Sequence, residues 1–141
     1  MGKRPPVSRH QKTMNVLLDT HALLWWLSAS RELSATARTA IENSHHRRFI
    51  SAVSAFEIAN KFRLGKLPGA GAVLEAYDEI IERGGFRHLP VTAAHAKLAG
   101  EMSGSHRDPF DRLLAAQCKL ENLSLLTVDA AFNEFDIDIV W

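Results

Sequence analysis

Two short apolar runs in this chain stop at an aspartate, and that pattern constrains the fold more than any other feature. Val16-Leu17-Leu18 gives way to Asp19-Thr20-His21, and the run from Leu123 to Thr127 leads to Asp129. Runs this short and apolar read as buried strands rather than helices, and a polar stop marks the carboxyl end of each. The segments between them have helical character. Residues 22–27 read as a helix. Ser34 is a suitable cap for a helix over 35–44 with Ile41 facing inward. Residues 48–51 read as a second strand. Residues 52–64 form an amphipathic helix in which Val53, Phe56, Ala59 or Asn60, and Leu64 recur on the inner face, and Gly65 ends it. Gly69-Ala70-Gly71 reads as a turn. A helix over 72–82 carries Leu74, Tyr77, Ile80 and Ile81 inward until Gly84-Gly85 breaks it. A strand over 86–91, a helix over 92–102 and a polar loop over 104–107 follow. Asp108 and Pro109 then cap and open a helix reaching about residue 120. Residues 137–141 read as a final edge strand.

Strands thus alternate with helices, which predicts an α/β fold with a mostly parallel central sheet and helices on both faces. The chain has 141 residues, enough for one such domain and too few for two ordinary ones, and at 46% hydrophobic residues it can bury a core. The expected domain is 14–141. The stretch before it, Met1 to Thr13, is basic with Pro5-Pro6 and reads as a flexible tail, either an upstream start or an arm that touches nucleic acid. No apolar run approaches the roughly 20 residues of a membrane-spanning helix, and no apolar signal core follows the basic start, so a cytoplasmic protein is expected. Cys118, the one cysteine, lies in an apolar helical stretch and is expected to be a buried structural thiol. Net charge is only +1, so any nucleic-acid binding must rest on local patches.

In a parallel α/β sheet the carboxyl ends of the strands share one edge, and that edge hosts the site. Asp19 and Asp129 belong there. Glu57, soon after the second strand, and Asp111, in the first turn of the Pro109 helix, should be delivered to the same place. Gathered carboxylates repel one another unless a cation sits among them, and hard oxygen donors favour Mg²⁺ or Mn²⁺. Such a metal activates water and stabilises charge on a phosphoryl oxygen. This points to phosphodiester or phosphate chemistry without deciding between a nuclease and a phosphatase. Each acid also has a simpler reading. Asp19 could cap the next helix, Glu57 could pair with Lys61, Asp111 could favour a helix dipole, and Asp129 could start a turn. Four such coincidences are less economical than one shared site.

The residues around these acids resemble a known family. Leu17-Leu18-Asp19-Thr20-His21-Ala22-Leu23-Leu24-Trp25 resembles the first motif of PIN-domain toxins of the VapC type. Ser54-Ala55-Phe56-Glu57-Ile58-Ala59, with Lys61 and Leu64-Gly65-Lys66-Leu67, resembles the second. His106-Arg107-Asp108-Pro109-Phe110-Asp111-Arg112-Leu113-Leu114-Ala115-Ala116-Gln117 resembles the third, and Leu125-Leu126-Thr127-Val128-Asp129 the fourth. The resemblance implies a PIN fold, a three-layer sandwich, and an endoribonuclease dependent on Mg²⁺ or Mn²⁺. It further implies a toxin of a type II toxin–antitoxin pair, blocked by a VapB-like antitoxin, and a homodimer. By position it makes Asp19 and Asp111 direct metal ligands, Glu57 a ligand or water-orienting acid, and Asp129 an acid acting through water, with Thr20 and Thr127 in support. Val128 stands where the family often has a basic residue, which removes one RNA contact and leaves the acid.

RNA binding requires cations near the acidic edge. Lys61, Arg63, Lys66, Arg107 and Arg112 are the candidates, each with a solvated face or ion pair as its alternative. His45-His46-Arg47-Arg48 reads as an exposed turn, with RNA contact as the alternative. Of Trp25 and Trp26, about 100° apart on a helix, one is expected in the core and the other on a dimer or antitoxin surface, with base stacking the less favoured use. His21 and His106 lack zinc-ligand spacing and read as polar or RNA-facing. Two other classes compete. A phosphatase or phospho-acceptor domain also places aspartate after its first strand, but expects a second acid two residues on, where this chain has His21. A non-catalytic RNA-binding module needs none of the four acids that are present.

Overall fold

The computed structural model describes residues 14–105 and 108–141. The basic tail expected over 1–13, and the expectations for His106 and Arg107, lie outside the described residues. Five strands form one sheet: β1 (Asn15–Leu18), β2 (Arg47–Ser51), β3 (Arg87–Leu89), β4 (Ser124–Leu126) and β5 (Ile139–Val140). Their order is β3-β2-β1-β4-β5, and all four pairings are parallel. The expected parallel α/β fold is borne out. Seven α-helices accompany the strands among the described residues: α1 (Thr20–Leu27), α2 (Ala35–Glu42), α3 (Ala52–Arg63), α4 (Gly71–Glu75), α5 (Tyr77–Arg83), α6 (Ala93–Glu101) and α7 (Pro109–Glu121). None of these is long and apolar enough to cross a membrane.

The period of two along β1 divides the interior into two cores. Val16 and Leu18 point to one face, where they join Ile50, Leu126 and the inner sides of α1, α2 and α5 through Ala22, Leu23, Ile41 and Ile81. Leu17 points to the other, with Leu125, Leu114, Cys118, Phe132 and Phe135. Cys118 is buried, and burial pushes its thiol up to about 12, as a structural cysteine requires. The chain leaves β1 toward β2 and β3, then returns to lay β4 on the opposite side of β1. The strand order therefore reverses between β1 and β4, and open α/β sheets bind ligands at the carboxyl end of such a reversal.

Four local expectations need correction. The helix read over 72–82 is two helices that meet at Ala76 (φ −116°, ψ 32°), and Gly71 opens the first of them instead of finishing a turn. Alanine does not break helices, so the break follows from docking Leu74, Tyr77 and Ile81 on the core. The inner face of α3 is Val53, Ser54 and Ile58, leaving Phe56 53% and Leu64 50% exposed. A serine on the buried face hid the true stripe from a reading by hydrophobicity. His46 and Arg48 are not part of an exposed turn. His46 is buried with Nδ1 2.7 Å from the Ala40 carbonyl, and Arg48 donates to the Ile41 carbonyl at 2.7 Å beneath the Phe86 ring. Trp25 and Trp26 are both half-buried against the first core, so they do not divide into one interior and one surface residue.

Candidate functional site

Asp19 is the first residue past β1, and the ladder carries on through it: its N–H donates to the Leu126 carbonyl at 3.1 Å. This backbone bond fixes Asp19 beside the end of β4, at the strand-order reversal. Its side chain caps α1, with Oδ1 accepting from the Ala22 N–H at 2.7 Å. The capping role and the site position therefore coincide. Asp19 is buried, and that burial holds its carboxyl above the usual carboxylate range. The negative charge of Asp129 adds to the rise, while hydrogen bonds from Thr127 and Ala22 and the charge of His21 oppose it.

Thr127 ties the two aspartates together. Its hydroxyl is buried, bonds Asp19, and accepts the Asp129 N–H at 3.1 Å. Asp129 is exposed and caps the 3₁₀ segment Ala130–Phe135 through a 2.9 Å bond from the Ala131 N–H.

Glu57 enters from α3. The Thr20 hydroxyl donates to Glu57 Oε1 at 2.5 Å and lies 2.9 Å from Ser54 Oγ. A carboxylate only accepts, and a threonine has one hydroxyl proton. Glu57 takes that proton, so the Ser54 hydroxyl must donate to Thr20. The result is a directed chain, Ser54 to Thr20 to Glu57, whose first two members are buried. Ser54 was not singled out by sequence reasoning. The available signal was a serine in register with Val53 and Ile58 on the inner face.

Asp111 lies half-buried in the first turn of α7, where Asp108 caps the helix and Pro109 occupies its first position as expected. The Phe56 and Phe110 rings meet at 5.2 Å. The helices bearing Glu57 and Asp111 are thus pinned together one residue before each acid. Asp19 and Asp129 follow β1 and β4 at neighbouring strand ends and are joined through Thr127, and Glu57 is bonded by Thr20, the residue after Asp19. Among the described residues, no three His, Cys, Asp or Glu side chains group closely enough to hold a metal ion as they stand.

Among the described residues, the basic candidates lie on two segments, α3 with its end and α7. Lys61 is half-buried on α3, and Lys66 is exposed just past its end. Arg63 donates to Asn60 Oδ1 at 2.5 Å. Arg112 donates to the carbonyls of Ala99 and Met102 at the end of α6 and lies over the Phe135 ring, a structural position. His21 is exposed beside Asp19, with its ring 5.6 Å from that of Trp25.

Fold and site together define an open-sheet α/β domain with an acidic, hydroxyl-braced edge at its strand-order reversal. The chain belongs to the PIN domain family, whose model matches residues 16–138. PIN domains are generally nucleases and typically use divalent metals. Among solved structures, the chain is similar to one in VapBC-1 from nontypeable Haemophilus influenzae (16% identity, 89% of this chain and 96% of that one, TM-score 0.66). It is likewise similar to one in VapBC2 from Rickettsia felis bound to a promoter DNA fragment (16% identity, 89% and 97%, TM-score 0.64). A third is PAE2754 from Pyrobaculum aerophilum (16% identity, 89% and 83%, TM-score 0.55). At these identities the likeness is one of fold. No curated protein sequence is a significant match.

Proposed function

We propose that this PIN domain is an endoribonuclease dependent on Mg²⁺ or Mn²⁺, and that it is the toxin of a toxin–antitoxin pair restrained by a VapB-like antitoxin. The observation that carries the nuclease reading is the placement of Asp19: a buried carboxylate at the β1–β4 reversal, close enough to Asp129 for the two charges to oppose each other. The donor set fits a hard divalent cation, because every candidate ligand is a carboxylate oxygen. A carboxylate has about four acceptor sites, and Ala22 and Thr127 engage two of those on Asp19. Its unfavourable burial beside Asp129 is the electrostatic situation that a cation relieves. Asp19 and Asp111 would be the direct ligands, with Glu57 and Asp129 completing the set. Bound there, the metal would supply an activated water and offset charge on the phosphoryl oxygen.

The protein's own groups do the positioning. Thr20 holds one oxygen of Glu57, so the other is presented in a fixed direction for a ligand or for the proton of an attacking water. Thr127 keeps Asp19 and Asp129 in register. The antitoxin partner and a homodimer are what the four motifs imply, and the antitoxin partner is supported by the fold shared with chains of VapBC structures.

The test is cleavage of total RNA by the purified chain, free of any partner, in Mg²⁺ and in EDTA, with Asp19→Asn alongside. Discrete fragments that require metal and vanish in the variant support the reading. Equal cleavage by both proteins overturns the role of Asp19. A phosphatase would instead release phosphate from a monoester and leave RNA intact.

A further inference from the structure

Between α1, the helix that Asp19 caps, and the segment joining α3 to α4 lies a cavity of about 390 Å³. Its walls are largely apolar, from Leu24, Trp25, Leu67 and Pro68, while His21 and Lys66 supply its polar and cationic groups. Trp25 is braced in place, with its ring 5.6 Å from His21 and 5.8 Å from Trp141. His21 is the link to the site. It follows Asp19 by two residues, in the first turn of the helix that Asp19 caps. An aromatic wall on the helix that Asp19 caps, and a cationic group in the same lining, are the features a nucleotide calls for: a flat base against indole, and phosphate beside ammonium.

We propose that this cavity receives one unpaired nucleobase of the RNA substrate, next to the phosphate presented to the acids, with Trp25 as its stacking wall and Lys66 holding the adjoining phosphate. This rests on the nuclease reading above and deepens it. The cavity makes Trp25 and Lys66 specificity determinants, and it confines cleavage to RNA segments in which a base can leave the helix. Trp25 lies on α1, which Asp19 caps, so a base held there fixes the position of the neighbouring phosphate relative to that carboxylate.

Gly69 offers a clean way to fill the cavity. It is part of the lining, and a Cβ added there meets nothing within 4 Å. Gly69→Leu therefore adds bulk at the lining with no clash at its Cβ, whereas Trp25→Ala would also remove packing. The experiment titrates wild type and Gly69→Leu against a fluorescently labelled RNA hairpin in EDTA. The intact hairpin is compared with versions carrying one abasic nucleotide at each loop position in turn. Wild type is expected to lose about tenfold in affinity at one loop position, the scale of one stacked base. Gly69→Leu should bind the intact hairpin about tenfold more weakly and lose nothing further at that position. Equal binding of every hairpin by the two proteins overturns the proposal, and a loss of affinity for a protein partner in its place reassigns the cavity to that partner. Because binding is read without metal, the outcome is independent of cleavage. A chain that binds as described but never cuts RNA would refute the nuclease reading and leave the base site standing.

Discussion

Replacing Thr20 by valine removes one hydroxyl while keeping the branched shape of the side chain, so little volume is lost. That hydroxyl donates to Glu57 and accepts from Ser54. A hydrogen bond to a charged group contributes about 1.5–3 kcal/mol to stability. Glu57 is half-buried, which places this one near the lower bound. Ser54 is fully buried and would keep a hydroxyl without its acceptor, a loss of about 1 kcal/mol more. Thr20→Val should therefore destabilise the fold by about 2–3 kcal/mol, or roughly 8 °C in Tm for a domain of this size. Activity should fall further than stability explains. The Glu57 side chain regains its rotamers, and a misplaced catalytic group lowers rate by up to about 100-fold. Urea unfolding and RNA cleavage, both run where the variant is fully folded, read the two effects separately. Ser54→Ala is the control: it removes the first link of the chain and leaves the Thr20–Glu57 bond, so it should lower stability by about 1 kcal/mol with a small effect on cleavage. The double variant should show coupling, because the lone Ser54 hydroxyl no longer exists. Strictly additive stabilities, or a Thr20→Val variant that cleaves like wild type, would refute the directed chain from Ser54 through Thr20 to Glu57.

Three more outcomes follow from other parts of the molecule. The Asp19 carboxyl is raised by burial, so the fold disfavours its ionised form; once ionised, its charge subtracts from stability, and acidification through the raised value recovers the loss. Asp19→Asn should therefore melt above wild type in EDTA at neutral pH yet gain nothing from Mg²⁺, and a variant that melts lower in EDTA contradicts this. Cys118, pushed up to about 12 by burial, should resist a thiol reagent in the native state and react in step with urea unfolding; rapid native labelling would show that the helix opens locally. His95 is buried, accepts the Thr92 N–H on Nδ1, and so presents its proton from Nε2 to Glu121 at 2.8 Å. His95→Ala should destabilise by about 3 kcal/mol and His95→Gln by less, since glutamine can rebuild the capping box; equal midpoints in urea for the two variants would contradict that role.

Sequence made the parallel sheet legible because β1 and β4 are short, apolar and stopped by aspartate, and because capping residues such as Ser34 and Asp108 act locally. The acids that follow the strands could be placed at one edge for the same reason. What stayed hidden depends on contacts distant in sequence. Ser54 counts as polar until its bond to Thr20, across the β1–β2 crossover, is seen. Arg112 looks like a phosphate contact until its guanidinium is found at the carbonyls ending α6. His46 and Arg48 look solvated until each finds a carbonyl on α2. Polar residues are hard to place from sequence because a buried hydrogen-bond partner reverses their preference for water.

The opposition between cap and site also dissolves, and for a geometric reason. A residue that ends a strand and precedes a helix occupies the N-cap by position, and its side chain accepts from the helix's unpaired N–H groups. Asp19 and Asp129 both do this, through Ala22 and Ala131. The cap bond uses one oxygen and fixes the rotamer, so the remaining lone pairs face a set direction. Capping is thus how a strand-end carboxylate becomes rigid enough to serve as a ligand. It follows that Asp129→Asn, which can still cap, separates the two roles: stability should stay within about 0.5 kcal/mol of wild type while metal-dependent cleavage falls. If cleavage instead persists undiminished, Asp129 is a cap alone, and the reacting edge consists of Asp19, Glu57 and Asp111.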